Sequence, residues 1–356
     1  MKQIVSQIYN PAVSSCNSNK DKRNYYLDNL KFCLITLVVV SHFAMRLSYI
    51  NGIKYLVYFI YIFHMPCFVF TSGYLARGMN KGGKLRADKI LSIFWLYLVF
   101  KMGDALINYV FAYDLELTLF KEKSASWYLF TLGIWYLLVP FLERIKKGYL
   151  IAGTFLLGLL AGYISSINSI MSLSKVIVFL PFFVLGFCFS GKLELILDKK
   201  LRFPAFILMI AVLAGVAIFW EYIEPFTEIL YGGKPYRNAL GDFSDYGLLI
   251  RGIWYLLAIL TSGAFMLLIP RCKTFFSVFG ERTLQVYMTH IWIRNILANI
   301  GFFAFIKEGP GYLSVLVLAG SILLTFLLAN RWFKKLFDVL SGPKLFMRLL
   351  NYGINN

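Results

Sequence analysis

The chain has 356 residues, of which 59% are hydrophobic, 18% aromatic and only 15% charged, and its formal net charge is +18. A soluble domain carries about 25% charged residues, so this chain has too few polar side chains to cover its apolar surface. Its basic residues are concentrated in short segments between apolar runs, as in cytoplasmic loops of membrane proteins. The composition argues against a soluble nucleic-acid-binding protein and predicts an integral membrane protein.

Ten apolar runs follow one another along the sequence, and most reach the ~20 residues that a membrane-spanning helix needs. None alternates as the strands of a transmembrane barrel do. We therefore predict an all-α fold, a polytopic integral membrane bundle of about ten transmembrane helices. The membrane domain, 23–340, would lie between a cytoplasmic N-terminal tail, 1–22, and a cytoplasmic C-terminal tail, 341–356. The runs cover 27–47, 55–75, 90–112, 127–142, 149–167, 176–190, 203–222, 247–269, 284–305 and 312–333.

The distribution of lysine and arginine predicts the orientation of these spans. If the N-terminus is cytoplasmic and there are ten spans, the inside segments hold 24 of these residues and the outside loops hold eight. Cytoplasmic loops carry such an excess of positive charge. Both termini are therefore predicted to be cytoplasmic (N-in, C-in).

Charged residues and histidines stand out within the apolar runs. Such residues are costly at membrane depth and are usually retained for function, and histidine can take and return a proton near neutral pH. All three histidines of the chain lie in predicted spans, which favours a catalytic role for at least one. A structural ion pair or a hydrogen-bonded interior histidine is the alternative. The residues concerned are Asp28, Lys31, His42, His64, Lys101, Asp104, Arg251, His290 and Arg294.

The first span places three of these residues along one helix. Asp28 and Lys31 are three residues apart and can pair near the cytoplasmic end. Lys31 and His42 are eleven residues apart, so they project from the same helix face about 16 Å apart along the axis. A long substrate could therefore contact a cation at the cytoplasmic surface and a base towards the outer half.

The second span and the loop after it carry further polar motifs. Pro66 permits a kink in the span, and Ser72 with Gly73 permits close contact with another helix. The following loop combines three glycines with five basic residues, which suits phosphate. The positive-inside bias alone would also produce it. The basic residues of this loop are Arg77, Lys81, Lys84, Arg86 and Lys89.

Two later regions complete the set. His290 and Arg294 are four residues apart and share a helix face, which must turn towards the bundle interior or a cavity. The external connection 221–246 mixes carboxylates with aromatic side chains; this suits sugar hydroxyls and ring faces, with an interfacial aromatic belt as the alternative. Three histidines on three helices lack metal-ligand spacing, and we predict no metal site.

Taken together, these motifs resemble the integral membrane acyltransferase family 3, and most closely its fucose 4-O-acetylase-like branch of polysaccharide O-acetyltransferases. The resemblance covers residues 25 to about 335. The family signature is an arginine, ten residues and a histidine; Lys31 replaces the arginine, as is common in this branch, and a lysine lacks bidentate phosphate contact. The matching segments are Asp28-Asn29-Leu30-Lys31 with His42, Phe63-His64-Met65-Pro66 with Ser72-Gly73-Tyr74, Trp127-Tyr128-Leu129, and Tyr287 with His290.

The resemblance implies an acyltransferase domain over 23–340, in the cytoplasmic (inner) membrane. It would move an acetyl or other acyl group from cytoplasmic acyl-CoA, such as acetyl-CoA, to a hydroxyl of an extracytoplasmic surface glycan or lipid-linked sugar. By the same resemblance, His42 would be the base or a covalent acyl carrier. The implied site residues are His42 and Asp28 for catalysis, Lys31, Arg77, Lys84, Arg86 and Lys89 for the coenzyme, and His64, Ser72, Trp127, Arg251, His290 and Arg294 for the acceptor cavity.

Two other functions are compatible with the sequence. A transporter that exports a polysaccharide or a small solute would also use about ten spans, a proline within a helix and buried charges. An enzyme that acylates an amino acid or another small molecule, rather than a glycan, is the third reading.

Overall fold

The computed structural model describes residues 24–81, 83–112, 125–166, 172–191, 193 and 197–340; both predicted cytoplasmic tails lie outside the described residues. Nearly all secondary structure in these ranges is helical, apart from a hairpin of β1 (Asn80–Lys81) and β2 (Lys84–Leu85). The helices are α1 Tyr25–Ala44, α2 Asn51–Leu75, α3 Ala87–Ala112, α4 Trp127–Leu142, α5 Lys147–Leu160, α6 Leu173–Phe189, α7 Arg202–Ile218, α8 Trp220–Ile223, α9 Tyr236–Leu240, α10 Gly247–Leu268, α11 Thr283–Asn299, α12 Phe302–Glu308, α13 Tyr312–Leu328 and α14 Arg331–Leu340.

Each of the ten predicted runs coincides with a helix, and the prediction of an all-α multi-pass membrane protein is confirmed. Among the described residues, five helical segments are long and apolar enough to span a membrane, and two bent helix pairs raise that number to seven. The helices α4, α5 and α6 are apolar but shorter. At 1.5 Å per residue the 16 residues of α4 cover only about 24 Å, less than the ~30 Å hydrocarbon core.

The last two predicted spans are broken, which the apolar pattern alone did not indicate. The axis bends by 64° between α11 and α12 and by 73° between α13 and α14. At the first bend, Gly301 adopts φ 79°, a left-handed conformation that glycine takes at no steric cost. At the second, Gln285 of α11 donates to the backbone oxygen of Leu328 (2.5 Å), and Arg282, directly before α11, donates to that of Ala329 (2.6 Å). These side chains satisfy the last carbonyls of α13, so the helix can end there.

The α2 and α6 helices cross at very short range. A Cβ atom added to Gly73 would lie 1.9 Å from the backbone oxygen of Phe183, and one added to Gly186 would lie 1.9 Å from that of Phe70. Close backbone approach through small residues is how helices associate in membranes, where burial of apolar surface gives little drive. The contact predicted from Ser72-Gly73 is therefore present, and it fixes α2 beside α6.

Replacing Gly186 by alanine is expected to lower the free energy of unfolding by about 1–3 kcal/mol or more, because the methyl group has no space. Thermal unfolding in detergent measures the effect. Gly215→Ala in α7 is the matched control, since nothing lies within 4 Å of an added Cβ there, and alanine is the better helix former. Equal melting temperatures for Gly186→Ala and the parent chain would contradict the close α2–α6 contact.

Asn29 joins α1 to the segment that leads into α11. It lies at the end of the bundle opposite the connection 221–246. Its Nδ2 donates to the backbone oxygens of Pro270 and Cys272, both at 2.9 Å. Its Oδ1 accepts from the hydroxyls of Thr274 (2.9 Å) and Ser277 (2.7 Å). Asn29 is fully buried, so a complete set of partners is what its burial requires. This network holds α1 and α11 in fixed register.

The connection 221–246, predicted to be external, is folded as a cap over one end of the bundle. It consists of the end of α8, two 3₁₀ segments (Glu224–Tyr231 and Gly241–Tyr246) and α9 between them. Ser174 at the start of α6 donates to the backbone oxygen of Gly232 at 2.7 Å, and Tyr236 donates to that of Leu159 at 2.7 Å. These bonds hold the end of the first 3₁₀ segment and α9 against the bundle, next to the cavity described below.

Candidate active site

A cavity of about 210 Å³ lies between α1, α2, α6 and α11, at the side predicted to be extracytoplasmic. It brings together four of the site residues predicted from the sequence: His42, His64, Trp127 and Arg294. The remaining lining is aromatic and aliphatic with one further cation, Lys175. The full lining is Val38, His42, Met45, Tyr61, His64, Met65, Ala125, Trp127, Lys175, Phe179, Leu230, Tyr231, Tyr287 and Arg294.

His42 and His290 are in direct contact although 248 positions separate them in the chain. The Nδ1 atom of His42 lies 2.9 Å from the Nε2 atom of His290, and the two rings stack with an interplanar angle of 13°. His290 is fully buried, and its Nδ1 donates to the backbone oxygen of Val286 at 2.8 Å. His42 thus lines the cavity, and His290 stands directly behind it.

His64 combines the two roles considered for it. Its Nδ1 donates to the backbone oxygen of Ile60 at 2.8 Å, one turn earlier in α2, which fits a hydrogen-bonded interior histidine. Its ring also lines the cavity and packs edge-on against Tyr61, with centroids 4.9 Å apart. Because Nδ1 is occupied, Nε2 is the nitrogen left to meet a substrate.

Arg294 provides a cation one helical turn from His290. Its Nε (3.2 Å) and Nη2 (2.6 Å) both donate to the side-chain oxygen of Asn295. The Nδ2 of Asn295 is 3.4 Å from the carboxylate of Asp104 on α3. The neutral amide therefore orients the guanidinium and stands between it and the carboxylate.

Aromatic side chains surround the outer part of the cavity. The Nζ of Lys175 lies 4.9 Å from the centroid of the Trp127 ring, a cation–π distance. Tyr231 from the external cap packs edge-on against Tyr61 with centroids 5.2 Å apart. Lys175 and Tyr61 carry no sequence signal of their own, because only the folded arrangement shows which side of a helix faces the cavity.

Three of the residues expected to line the acceptor cavity are outside its lining: His290, which lies behind His42, and Ser72 and Arg251, which lie elsewhere. The hydroxyl of Ser72 is 2.5 Å from that of Tyr128 and joins α2 to α4. Arg251 is fully buried, donates from Nη1 to the backbone oxygen of Gly158 at 3.1 Å, and lies 4.4 Å from the centroid of the Tyr236 ring. Both residues connect structural elements, and neither is in the lining of the cavity.

The residues expected to meet the coenzyme lie at the other end of the bundle. Lys31 pairs with Asp28 at 3.0 Å, as their spacing predicts. Asp28 is fourteen residues before His42 in α1, about 21 Å along the axis, so it does not reach the same reacting atoms. Around the hairpin, Arg86 pairs with Asp88 at 3.0 Å, and the cations Arg77, Lys84 and Lys89 are exposed to solvent.

A helical membrane domain with a histidine-lined cavity restricts the class of protein, and comparison of the sequence identifies the family. A family model described as an acyltransferase domain matches residues 24–330. The chain therefore belongs to the integral membrane acyltransferase family 3, as the motifs predict. The match covers α1 to α13 and includes the whole cavity.

Two curated relatives, both named Nodulation protein NolL, are similar to the chain at low identity. The protein from Mesorhizobium japonicum is 28% identical over 192 residues, which are 49% of this chain and 50% of the relative. The protein from Sinorhizobium fredii is 28% identical over 202 residues, 53% of this chain and 54% of the relative. The chain thus spans about half the length of the curated relatives it matches. No solved structure shows a significant match.

Proposed function

We propose that this chain is a membrane O-acyltransferase of the cytoplasmic (inner) membrane. It takes an acetyl group, or another short acyl group, from cytoplasmic acyl-CoA and transfers it to a hydroxyl of an extracytoplasmic glycan or lipid-linked sugar. The observation that carries the proposal is the cavity in which a histidine with a fixed ring, His42, faces the same space as the cation Arg294. Membership of the acyltransferase family supports it.

The chemistry needs a base and a positive charge at one place. His42 takes the proton of the acceptor hydroxyl, and the hydroxyl oxygen attacks the carbonyl carbon of the thioester. A carbon–oxygen bond forms, and the electron pair of the carbonyl moves onto its oxygen. Arg294 stabilises this oxyanion. The carbon–sulfur bond then breaks, and the coenzyme leaves as a thiol with the proton returned by His42. A covalent acyl-histidine at His42 is the alternative route.

The size of the cavity favours a short acyl group. Ligand pockets for molecules of ordinary drug size have volumes of about 300–1,000 Å³, whereas this cavity has about 210 Å³. It offers room for an acetyl group and part of a sugar ring. The rings of Tyr61, Trp127 and Tyr231 provide flat apolar faces with polar edges, which suit a sugar ring.

The coenzyme would bind at the end of the bundle that carries Lys31 and the β1–β2 hairpin. Exposed Lys and Arg side chains are suitable partners for the phosphates of a nucleotide. The thioester arm would then follow the face of α1 shared by Lys31 and His42, about 16 Å apart along the axis. This arrangement gives the donor and the acceptor separate approaches to one reaction centre.

Coenzyme A is expected to protect the purified protein from thermal unfolding, and this separates the enzyme from an exporter. At a concentration 100 times its Kd, a ligand that binds only the folded state stabilises it by about 2.7 kcal/mol. Lys84→Ala with Lys89→Ala should weaken the protection, because both cations are exposed at the proposed phosphate site. The control pair Lys334→Ala and Lys335→Ala, in α14, should leave it unchanged. A melting temperature unaffected by coenzyme A would contradict the donor assignment.

A further inference from the structure

His42 and His290 differ in the surroundings of the ring nitrogen that does not take part in their mutual contact. His290 donates from Nδ1 to the backbone oxygen of Val286, and a carbonyl oxygen can only accept. The hydrogen of a neutral His290 ring is therefore on Nδ1, and its Nε2 carries a lone pair. A protonated His290 would place a second positive charge beside Arg294 in the membrane interior, which the low dielectric strongly disfavours.

The lone pair on His290 determines the state of His42. The 2.9 Å contact between Nε2 of His290 and Nδ1 of His42 needs one hydrogen, and only His42 can supply it. His42 is then the tautomer with hydrogen on Nδ1 and a lone pair on Nε2. Since His290 does not line the cavity and His42 does, the edge of His42 turned to the substrate carries Nε2.

We propose that His290 is a positioning residue that holds His42 in the tautomer whose Nε2 acts as the base. The backbone oxygen of Val286 fixes the tautomer of His290, and His290 in turn fixes the tautomer of His42. This inference rests on the proposed function, in which His42 is the base. It gives His290 a role different from that of a residue in contact with the acceptor.

The hydrogen bonds from His42 to His290 and from His290 to Val286 form a relay. This relay also stabilises the positively charged His42 ring that forms during the reaction. When Nε2 of His42 takes the proton of the acceptor hydroxyl, the ring becomes positive while its Nδ1–H still donates to His290. A hydrogen bond from a charged donor is stronger than one from a neutral donor. Because the Val286 oxygen holds the other hydrogen of the relay, the proton taken up by His42 goes to the sulfur of the departing coenzyme.

The first test observes the tautomer without any reaction. The chain has only three histidines, so the full-length protein labelled with ¹⁵N-histidine gives three pairs of ring nitrogen signals. Each signal shows whether its nitrogen carries hydrogen, and His42→Gln assigns the His42 pair by its loss. We expect hydrogen on Nδ1 and none on Nε2 of His42 at neutral pH. In His290→Leu that preference should disappear, whereas a His42 that carries hydrogen on Nε2 in the parent protein would overturn the inference.

The second test compares two substitutions of His290 that differ in hydrogen bonding. Leucine offers no acceptor, whereas the side-chain oxygen of glutamine accepts the same bond from His42. The assay follows labelled acetyl from acetyl-CoA into base-labile esters of envelope material. His290→Leu should lower the rate by about 10²-fold, because the tautomer with its lone pair on Nε2 is no longer favoured and the charged His42 ring loses a hydrogen bond. His290→Gln should retain the rate within about tenfold, since the bond is kept.

The outcomes separate this inference from the function on which it rests. Equal loss in both variants, with unchanged thermal unfolding, would show that His290 does something other than accept a hydrogen bond, and would overturn the inference. Full activity of His290→Leu would overturn it as well. Neither result affects the role of His42 as the base, which fails only if a variant of His42 itself remains active.

Discussion

Substitution of His42 by alanine is expected to reduce acyl transfer by at least about 10²–10⁴-fold, the usual contribution of a general base. The reason is local, because His42 is the histidine that both lines the cavity and has its ring fixed by a second histidine. The measurement is the incorporation of acetyl from labelled acetyl-CoA into base-labile esters. Binding of coenzyme A, measured as thermal protection, should persist because the proposed phosphate site is at the other end of α1.

The matched control for this substitution is Thr36→Val in the same helix. Thr36 is half-buried and its hydroxyl donates to the backbone oxygen of Phe32 at 2.9 Å within the helix. Loss of that bond should leave the rate unchanged. Retention of full activity in His42→Ala would remove His42 from the mechanism.

The parent protein, with His42→Ala as its control, distinguishes direct transfer from a covalent acyl-histidine. With acetyl-CoA and no acceptor, a covalent route predicts a protein mass increased by one acetyl group on a peptide that contains His42. Direct transfer predicts no such increase, because the thioester carbonyl waits for the acceptor oxygen. Rapid denaturation before mass spectrometry preserves the adduct if it forms.

Much of the fold was predictable because a bilayer imposes length and apolarity on every span. The run over 27–47 corresponds to α1 and the following 3₁₀ turn, which together form one of the long apolar segments. The bend at Gly301 was not predictable in this way, since an isolated glycine within an apolar run indicates neither that the helix bends nor in which direction. The end of α13 depends on Gln285 and Arg282, which are distant in sequence.

The site was predictable only as a set of candidates. Rarity of polar residues in the spans marked His42, His64 and Arg294, and all three reach one cavity. The same criterion marked Arg251, which instead packs against Gly158 and Tyr236. Which way each residue faces is decided by the rotation of its helix within the bundle, and hydropathy does not encode that rotation. The contact between His42 and His290 likewise depends on α1 and α11 being adjacent.

Substitution of Arg294 by methionine is expected to lower kcat for acyl transfer by about 10²–10³-fold, the cost of removing one oxyanion donor. The guanidinium is aimed into the cavity by Asn295, a neutral partner. Its charge is therefore oriented but receives full compensation only when the oxyanion forms, which is what selective stabilisation of a transition state requires. The KM for acetyl-CoA should change little, since the coenzyme is held at the other end of the bundle.

Two further substitutions serve as comparisons for Arg294→Met. Arg237→Met removes an exposed cation in α9, outside the cavity lining, and should leave kcat unchanged, which controls for loss of positive charge at that end of the bundle. Arg294→Lys keeps the charge but not the planar fork of donors, so an intermediate rate is expected. If Arg294 instead binds an anionic group of the acceptor, its loss will raise the KM for that acceptor and leave kcat intact. The split between kcat and KM therefore decides whether this cation acts on the reaction or only on recognition.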